Sequence, residues 1–171
     1  MPSGTKVELH GNHFGWWRNA RGEYYVAAQV LLLALVAIGP RFGAGPWSGP
    51  WAAAAAGAGG LIGSGGLVLV LGGLWSLGLR NLSPLPHPKH GATLVEGGVY
   101  RLVRHPIYGG VSLAALGWGL AWRSPVTLGL AVLLFALLDL KSRREEHWLS
   151  RTYPQYADYR RRVKRLIPLI Y

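Results

Sequence analysis

Arg104, His105, Glu145 and Glu146 are the residues of this chain best suited to hold a charged ligand. Pro106 follows the Arg-His pair and suits the first turn of a helix, where its missing N–H leaves nothing unmade. Arg104 and His105 then sit at a helix entrance, where free backbone N–H groups favour an anion. Gly97 and Gly98, just upstream, permit a tight turn or the close approach of a ligand. The acidic pair follows a long apolar run, and one of the two is placed to face Arg104 or His105 across a bundle. Tyr153, Tyr156 and Tyr159 recur every three residues and could line one side of a helix. Taken singly these are ordinary features, because an Arg-His pair at a helix start commonly anchors at an interface and a Glu pair is commonly solvated.

The elements that must position these groups are written in the distribution of charge. The chain has 171 residues, a formal charge of +11 and a pI near 10.6, yet half its residues are apolar. Residues 24–40, 42–79, 105–122 and 124–138 carry no Asp, Glu, Lys or Arg. Such runs are the mark of membrane spans. The expected fold is therefore an all-α integral membrane protein, a single membrane domain over 1–171. Four transmembrane helices are expected, near 24–40, within 52–79, at 106–122 and at 125–140. The second stretch would reach about 42 Å as a helix, against a bilayer core of about 30 Å. It must tilt, protrude or break, and its Gly-rich part from Gly57 to Gly66 could do any of these.

Sixteen of the eighteen Lys and Arg fall in 1–23, 80–105 and the tail from 141, leaving only Arg41 and Arg123 elsewhere. The positive-inside rule puts both termini and the 80–105 loop in the cytoplasm. Were 42–79 to cross twice, the count would be five and the N-terminus would lie outside. Trp47, Trp51, Trp75, Trp118 and Trp122 fall near span ends, as an aromatic belt would. The expected setting is a bacterial-type inner membrane. The basic tail then faces anionic lipid, and no groove-fitting motif points to nucleic acid. The first 23 residues, with His10, His13, Trp16 and Trp17, do not read as a cleavable signal. The absence of cysteine removes disulfides, thiolate nucleophiles and Cys-based metal sites.

Two patterns are decoys. Residues 57–63 resemble a dinucleotide fingerprint, but Ile62 stands where the third glycine belongs and no strand precedes it. Gly59 and Gly63 read instead as a GxxxG packing pair, with Gly110/Ala114, Ala115/Gly119 and Gly117/Ala121 as further small-residue contacts. These faces leave room for a homodimer. His87 and His90 are three apart, but Pro84, Pro86 and Pro88 oppose a helix there, so no metal site is expected.

Together the pieces resemble the isoprenylcysteine carboxyl methyltransferase family and the wider group of small membrane methyltransferases that includes phospholipid N-methyltransferases. The resemblance rests on Leu94-Val95, Gly98-Val99-Tyr100, Arg104-His105-Pro106-Ile107-Tyr108 with Gly110, the turn at Ser124-Pro125, Glu145-Glu146, Tyr156, Tyr159, Val163 and Pro168. It covers about residues 80–168, a methyltransferase-like catalytic region, while 1–79 holds spans of unrecognised sequence. One departure stands out: several relatives carry a His two residues before the Leu-Val, where this chain has Ala92, with His90 two residues earlier.

The resemblance implies S-adenosylmethionine as methyl donor and a cytoplasmic cofactor pocket formed by the 80–108 loop and the C-terminal tail. Methyl transfer from a sulfonium needs alignment more than acid or base. Arg104 or His105 would suit the donor's carboxylate, and Glu145 or Glu146 its ammonium or ribose hydroxyls. Tyr100, Tyr108 and the tail tyrosines could stack on adenine or face the sulfonium. The expected cofactor contacts are Leu94, Val95, Gly98, Tyr100, Arg104, His105, Pro106, Tyr108, Glu145, Glu146, Tyr156 and Arg160. Arg104 and Glu146 are the expected catalytic pair, and Tyr156 and Arg160 the lid. The expected partners are membrane lipid and a lipophilic or small acceptor, which offers a carboxylate, thiol or amine. The alternatives are an NADPH-dependent membrane reductase of related architecture and a non-catalytic membrane protein.

Overall fold

A computed structural model describes residues 22–43, 45, 48–82 and 93–171, apart from the side chains of residues 79 and 80. His87, His90, Ala92 and Trp47, and everything before Gly22, lie outside the described residues. Five α-helices follow in order: α1 (Glu23–Ile38), α2 (Gly49–Asn81), α3 (Pro106–Ala121), α4 (Pro125–Thr152) and α5 (Tyr156–Arg162). A 3-10 turn, Gly39–Phe42, extends α1, and another, Gly98–Arg101, precedes α3. Among the described residues three segments are long and apolar enough to cross a membrane, Glu23–Phe42, Gly49–Gly78 and Pro125–Thr152. The shorter apolar α3, 16 residues, would span about 24 Å.

The molecule is apolar on the outside, as a lipid-facing bundle requires. Leu61, Leu67, Val68 and Leu71 of α2 are all exposed. Trp51 and Trp75 lie near opposite ends of that helix, and both are almost fully exposed. Trp118 and Trp122 meet edge-on at the end of α3.

The α2–α3 seam is built on missing side chains. A Cβ on Gly59 would run into the backbone of Gly117 and Ala121, and one on Gly66 into that of Gly110 and Ala114. A Cβ on Gly73 would strike Pro106 and Ile107. These three glycines are seven residues apart, so each returns to the same helix face after two turns and lets the antiparallel backbones touch. Gly63, the expected partner of Gly59, is different. Its own Cβ would make only an ordinary contact with Gly117, 3.8 Å away. The positions on α2 that cannot take a Cβ are thus Gly59, Gly66 and Gly73, while Gly63 enters the seam by its backbone, which a Cβ on Gly117 would strike.

The Gly57–Gly66 stretch also stays helical. The long second helix breaks at Gly78 instead, where φ of 69° and ψ of 160° suit glycine. Gly49–Asn81 is otherwise one helix, so 42–79 does not fold as two spans.

The α3–α4 hairpin turns at Ser124, whose Oγ accepts from the Thr127 N–H at 3.2 Å and caps α4 before Pro125 takes its first position. Inside, Val36, Ala115, Ala131, Leu134 and Leu138 join α1, α3 and α4 in one apolar core. At the far end of that core from the hairpin turn, the chain entering α3 meets the tail. The N–H groups of Arg104 and His105 donate to the carbonyls of Lys164 and Arg165 at 2.8 and 2.9 Å, and Val103 pairs in parallel with Lys164.

Candidate functional site

Pro106 opens α3 with its ring fully buried, which places Arg104 and His105 at the polar end of the bundle. Glu145 and Glu146 arrive there because α4 runs on well past its apolar part. Arg104 is buried, and its Nε and Nη2 each lie 2.8 Å from Glu146 Oε1. Its Nη1 donates to the carbonyl of Arg160 at 3.0 Å and to that of Val163. One guanidinium therefore ties α3, α4 and the tail together, which only Arg's planar fork of donors can do.

Glu146 is 2% exposed and is the centre of the cluster. His105 Nε2 lies 3.4 Å from Oε1, Arg165 Nε 3.5 Å from the same oxygen, and Arg160 Nε 3.7 Å from Oε2. Glu145 faces the other way and accepts from the Tyr108 hydroxyl at 2.9 Å. Tyr108 in turn stacks on His105, with ring centroids 5.5 Å apart.

The tail closes over this cluster. Tyr156 and Tyr159 are buried and meet edge-on, and the Tyr159 hydroxyl donates to the Tyr100 carbonyl at 2.6 Å. Burial holds the Tyr100, Tyr156 and Tyr159 phenols well above their usual range, with nearby carboxylates (Glu146 for Tyr156) adding to the effect. All three remain neutral hydroxyl groups at any physiological pH. Arg165 extends the cluster outward: its Nη1 donates to Asp139 Oδ1 at 3.1 Å, beside Tyr171.

Several expected residues are placed differently from the sequence reading. Tyr153 ends α4 and does not share a helix with Tyr156 and Tyr159. Gly98 has φ of 59°, and a Cβ there would collide with Ser76 Oγ, so its backbone approaches α2 closely. Leu94 and Val95 lie half-buried in the irregular stretch that leads into this turn. Arg160 is mostly exposed and enters the cluster through its carbonyl and its edge contact with Glu146.

Two residues that the sequence reading passed over belong here. Arg165 carries no motif signal. Lys141, fully buried on α4, did leave one: it falls on the helical repeat of Leu134, Leu138 and Glu145, which points it inward.

The cluster has unmet capacity. Among the described residues, four buried side-chain atoms have no hydrogen-bond partner: His105 Nε2, Glu146 Oε2, Tyr156 Oη and Arg165 Nε. Native interiors rarely leave such atoms orphaned. The set holds a carboxylate oxygen that can receive an ammonium. It also holds imidazole, guanidinium and phenol groups that can donate to a carboxylate or hydroxyl. Arg104, by contrast, spends its donors on protein partners. The residues present therefore fit the amino-acid end of a zwitterionic ligand. No group of three His, Asp or Glu side chains suited to a metal occurs among the described residues.

The family model for phospholipid methyltransferase matches residues 55–156, which takes in most of α2, the Arg104–Tyr108 entrance and the Glu pair. The chain is 29% identical over 169 residues to the nickel-cobalt-cadmium resistance protein NccN of Alcaligenes xylosoxydans xylosoxydans, covering 98% of this chain and 70% of that protein. It is 36% identical over 77 residues to the cobalt-zinc-cadmium resistance protein CzcN of Cupriavidus metallidurans, covering 44% of this chain and 36% of the relative. It is 30% identical over 79 residues to protein-S-isoprenylcysteine O-methyltransferase B of Arabidopsis thaliana, covering 45% and 40%.

Proposed function

This chain belongs to the phospholipid methyltransferase family, and we propose that the cluster around Glu146 holds the methyl donor against an acceptor arriving from the membrane. The chain is an integral-membrane domain of a methyltransferase family that acts on small or lipophilic acceptors, and membership implies S-adenosylmethionine as donor. When bound, the donor would supply an electrophilic methyl group on a sulfonium: the acceptor's lone pair would bond to that methyl as the methyl–sulfur bond breaks, and the neutral thioether would leave.

The observation that carries the site assignment is the set of four orphaned atoms about Glu146. Glu146 Oε2 receives the donor's ammonium, while His105 Nε2 and Arg165 Nε hold its carboxylate. The Tyr156 hydroxyl donates to a further oxygen of the ligand. Arg104 is the positioning residue: it fixes the Glu146 carboxylate and pulls the tail over the site through two carbonyls. The tail excludes water, which keeps the alignment that a displacement requires. No residue need act as acid or base toward a carboxylate acceptor, which becomes a neutral ester. An amine acceptor instead releases a proton. The cluster faces the cytoplasm, the side from which a water-soluble donor comes, and an isoprenylcysteine-type carboxylate is one acceptor compatible with the relative from Arabidopsis.

The test is binding to the full chain in detergent. S-Adenosylmethionine, S-adenosylhomocysteine and NADPH are titrated separately, and the melting temperature is followed. Saturable stabilisation by the adenosyl ligands alone is expected; stabilisation by NADPH alone overturns the reading. Tyr156→Phe removes only the phenol hydroxyl. It should leave the ligand-free melting temperature unchanged or slightly higher while weakening S-adenosylhomocysteine binding by about tenfold, one hydrogen bond's worth.

A further inference from the structure

Asp139 sits where the apolar part of α4 ends: residues 124–138 before it carry no charge. It is 9% exposed. An ionisable group at that depth is costly unless paired, and such a group commonly has a task. Its Oδ2 accepts from Arg143 Nε at 2.7 Å, and its Oδ1 accepts from Arg165 Nη1 and from the Tyr171 hydroxyl, both at 3.1 Å. The two arginines differ. Arg143 is more than half exposed, so water can stand in for Asp139 as its partner. The Arg165 side chain is only 15% exposed and reaches on into the cluster around Glu146.

Asp139 and Glu146 are seven residues apart on α4, so their carboxylates share one helix face, about 10 Å apart along the axis. The Arg165 guanidinium lies between them. Its Nη1 is held at Asp139, while its Nε comes to 3.5 Å from Glu146 Oε1 without making a hydrogen bond. That oxygen is already taken by Nε and Nη2 of Arg104, whereas Glu146 Oε2 has no hydrogen-bond partner. A guanidinium free to turn would close this gap, because arginine and a carboxylate favour two parallel hydrogen bonds. It would then occupy Arg165 Nε and Glu146 Oε2, the atoms assigned above to the donor's carboxylate and ammonium. The tether to Asp139 opposes that collapse. The main chain supports it. The Arg165 carbonyl accepts from the His105 N–H at 2.9 Å, and the Leu166 and Ile167 N–H groups donate to the main-chain oxygen of Tyr171 at 2.7 and 2.9 Å. This fold of the tail sets the Tyr171 ring against the guanidinium, 5.6 Å from ring centroid to Cζ.

We propose that Asp139 is a positioning residue for the donor: by holding Arg165 Nη1 it keeps Arg165 from pairing fully with Glu146, and so leaves both groups open to the donor's amino-acid end. This rests on the donor reading above. Asp139 touches no ligand itself and acts through Arg165.

The experiment compares two ligands on the full chain in detergent. S-Adenosylhomocysteine carries the amino-acid end; 5′-methylthioadenosine has the same adenosine and a thioether but lacks that end. Asp139→Ala should weaken S-adenosylhomocysteine by about tenfold, the worth of one charge-assisted hydrogen bond, and leave 5′-methylthioadenosine within about twofold. Arg165→Met should show the same selective loss. The double variant should bind no more weakly than Arg165→Met alone, because the two residues act as one unit. Asp139→Asn keeps the shape and an oxygen for Arg165 but not the charge. It should give a smaller loss with the same selectivity, and it carries the test if the alanine variant does not fold. A purely structural role would cost both ligands alike, so equal losses overturn the proposal. Unchanged S-adenosylhomocysteine binding in the Asp139 variants overturns it as well, as does a double variant in which the two losses add. A wild type that binds neither ligand sinks the donor reading itself, and this role with it.

Discussion

Replacing Arg104 with alanine should undo the tail before it harms the bundle. The guanidinium makes paired contacts to Glu146 at 2.8 Å and donates to the Arg160 and Val163 carbonyls, all within a site where it is 8% exposed. Removing one partner of a buried ion pair costs about 3–5 kcal/mol, because the other charge is left buried. His105, Arg165 and Arg160 stand within 3.4 to 3.7 Å of Glu146 and soften the loss, so the lower end is the better figure. About 3 kcal/mol is roughly a hundredfold in the equilibrium between docked and open tail. Hydrogen exchange reads this directly. The amides of Val163 and Leu166 should lose about a hundredfold of protection. Those in the middle of α3 and α4 should be little changed, since the small-residue seam and apolar core do not involve Arg104. S-Adenosylhomocysteine binding should fall by a similar factor in protein that still inserts. Protection of the tail amides within a few-fold of wild type would refute the clamp, whatever happened to binding.

Two further outcomes follow from packing and titration. Gly66→Ala should lower the folded yield and melting temperature by an overpacking cost of about 1–3 kcal/mol, since its Cβ would press on the Gly110 and Ala114 backbone, while Gly63→Ala should be tolerated; equal loss in both would remove the seven-residue register. Tyr100, Tyr156 and Tyr159 have phenols raised above the ordinary tyrosine value when folded, so the folded state holds protons that the unfolded chain releases. Stability from these groups is complete below about pH 10 and should decline above it, by about 1.4 kcal/mol per pH unit for each tyrosine. Melting temperatures from pH 8 to 11 that stay level above pH 10 would contradict their burial.

Much of the site was legible because its pieces are local. Pro106 has few places to go except a helix start, and it therefore puts Arg104 and His105 at the end of a span. The apolar run before Glu145 and Glu146 carries both residues to the same end. The pairing of Glu146 with Arg104 follows from charge once the two helices are antiparallel neighbours. What could not be read is what depends on contacts between distant segments. Gly98 reads as a glycine for a turn or a close approach, and only the fold shows that Ser76 lies behind it. Gly59 and Gly63 share a motif, but only the facing helix decides that Gly59, Gly66 and Gly73 are the positions without room for a Cβ. Arg165 enters the cluster because the tail pairs in parallel with the Val103–His105 segment, a contact between stretches some sixty residues apart that no local pattern encodes.

By itself, then, the sequence determined the solvent and the cast. Segregated charge makes a membrane bundle the state in which these apolar faces are satisfied, and the Arg-His-Pro and Glu-Glu segments must gather at its polar end. The tertiary structure alone decided the assignment of roles. It spent the donors of Arg104 on Glu146 and two tail carbonyls. It also buried Lys141 beside Tyr108, against Gln29 of α1. Both results depend on which groups share a desolvated space, and that is a property of how the helices and the tail pack together.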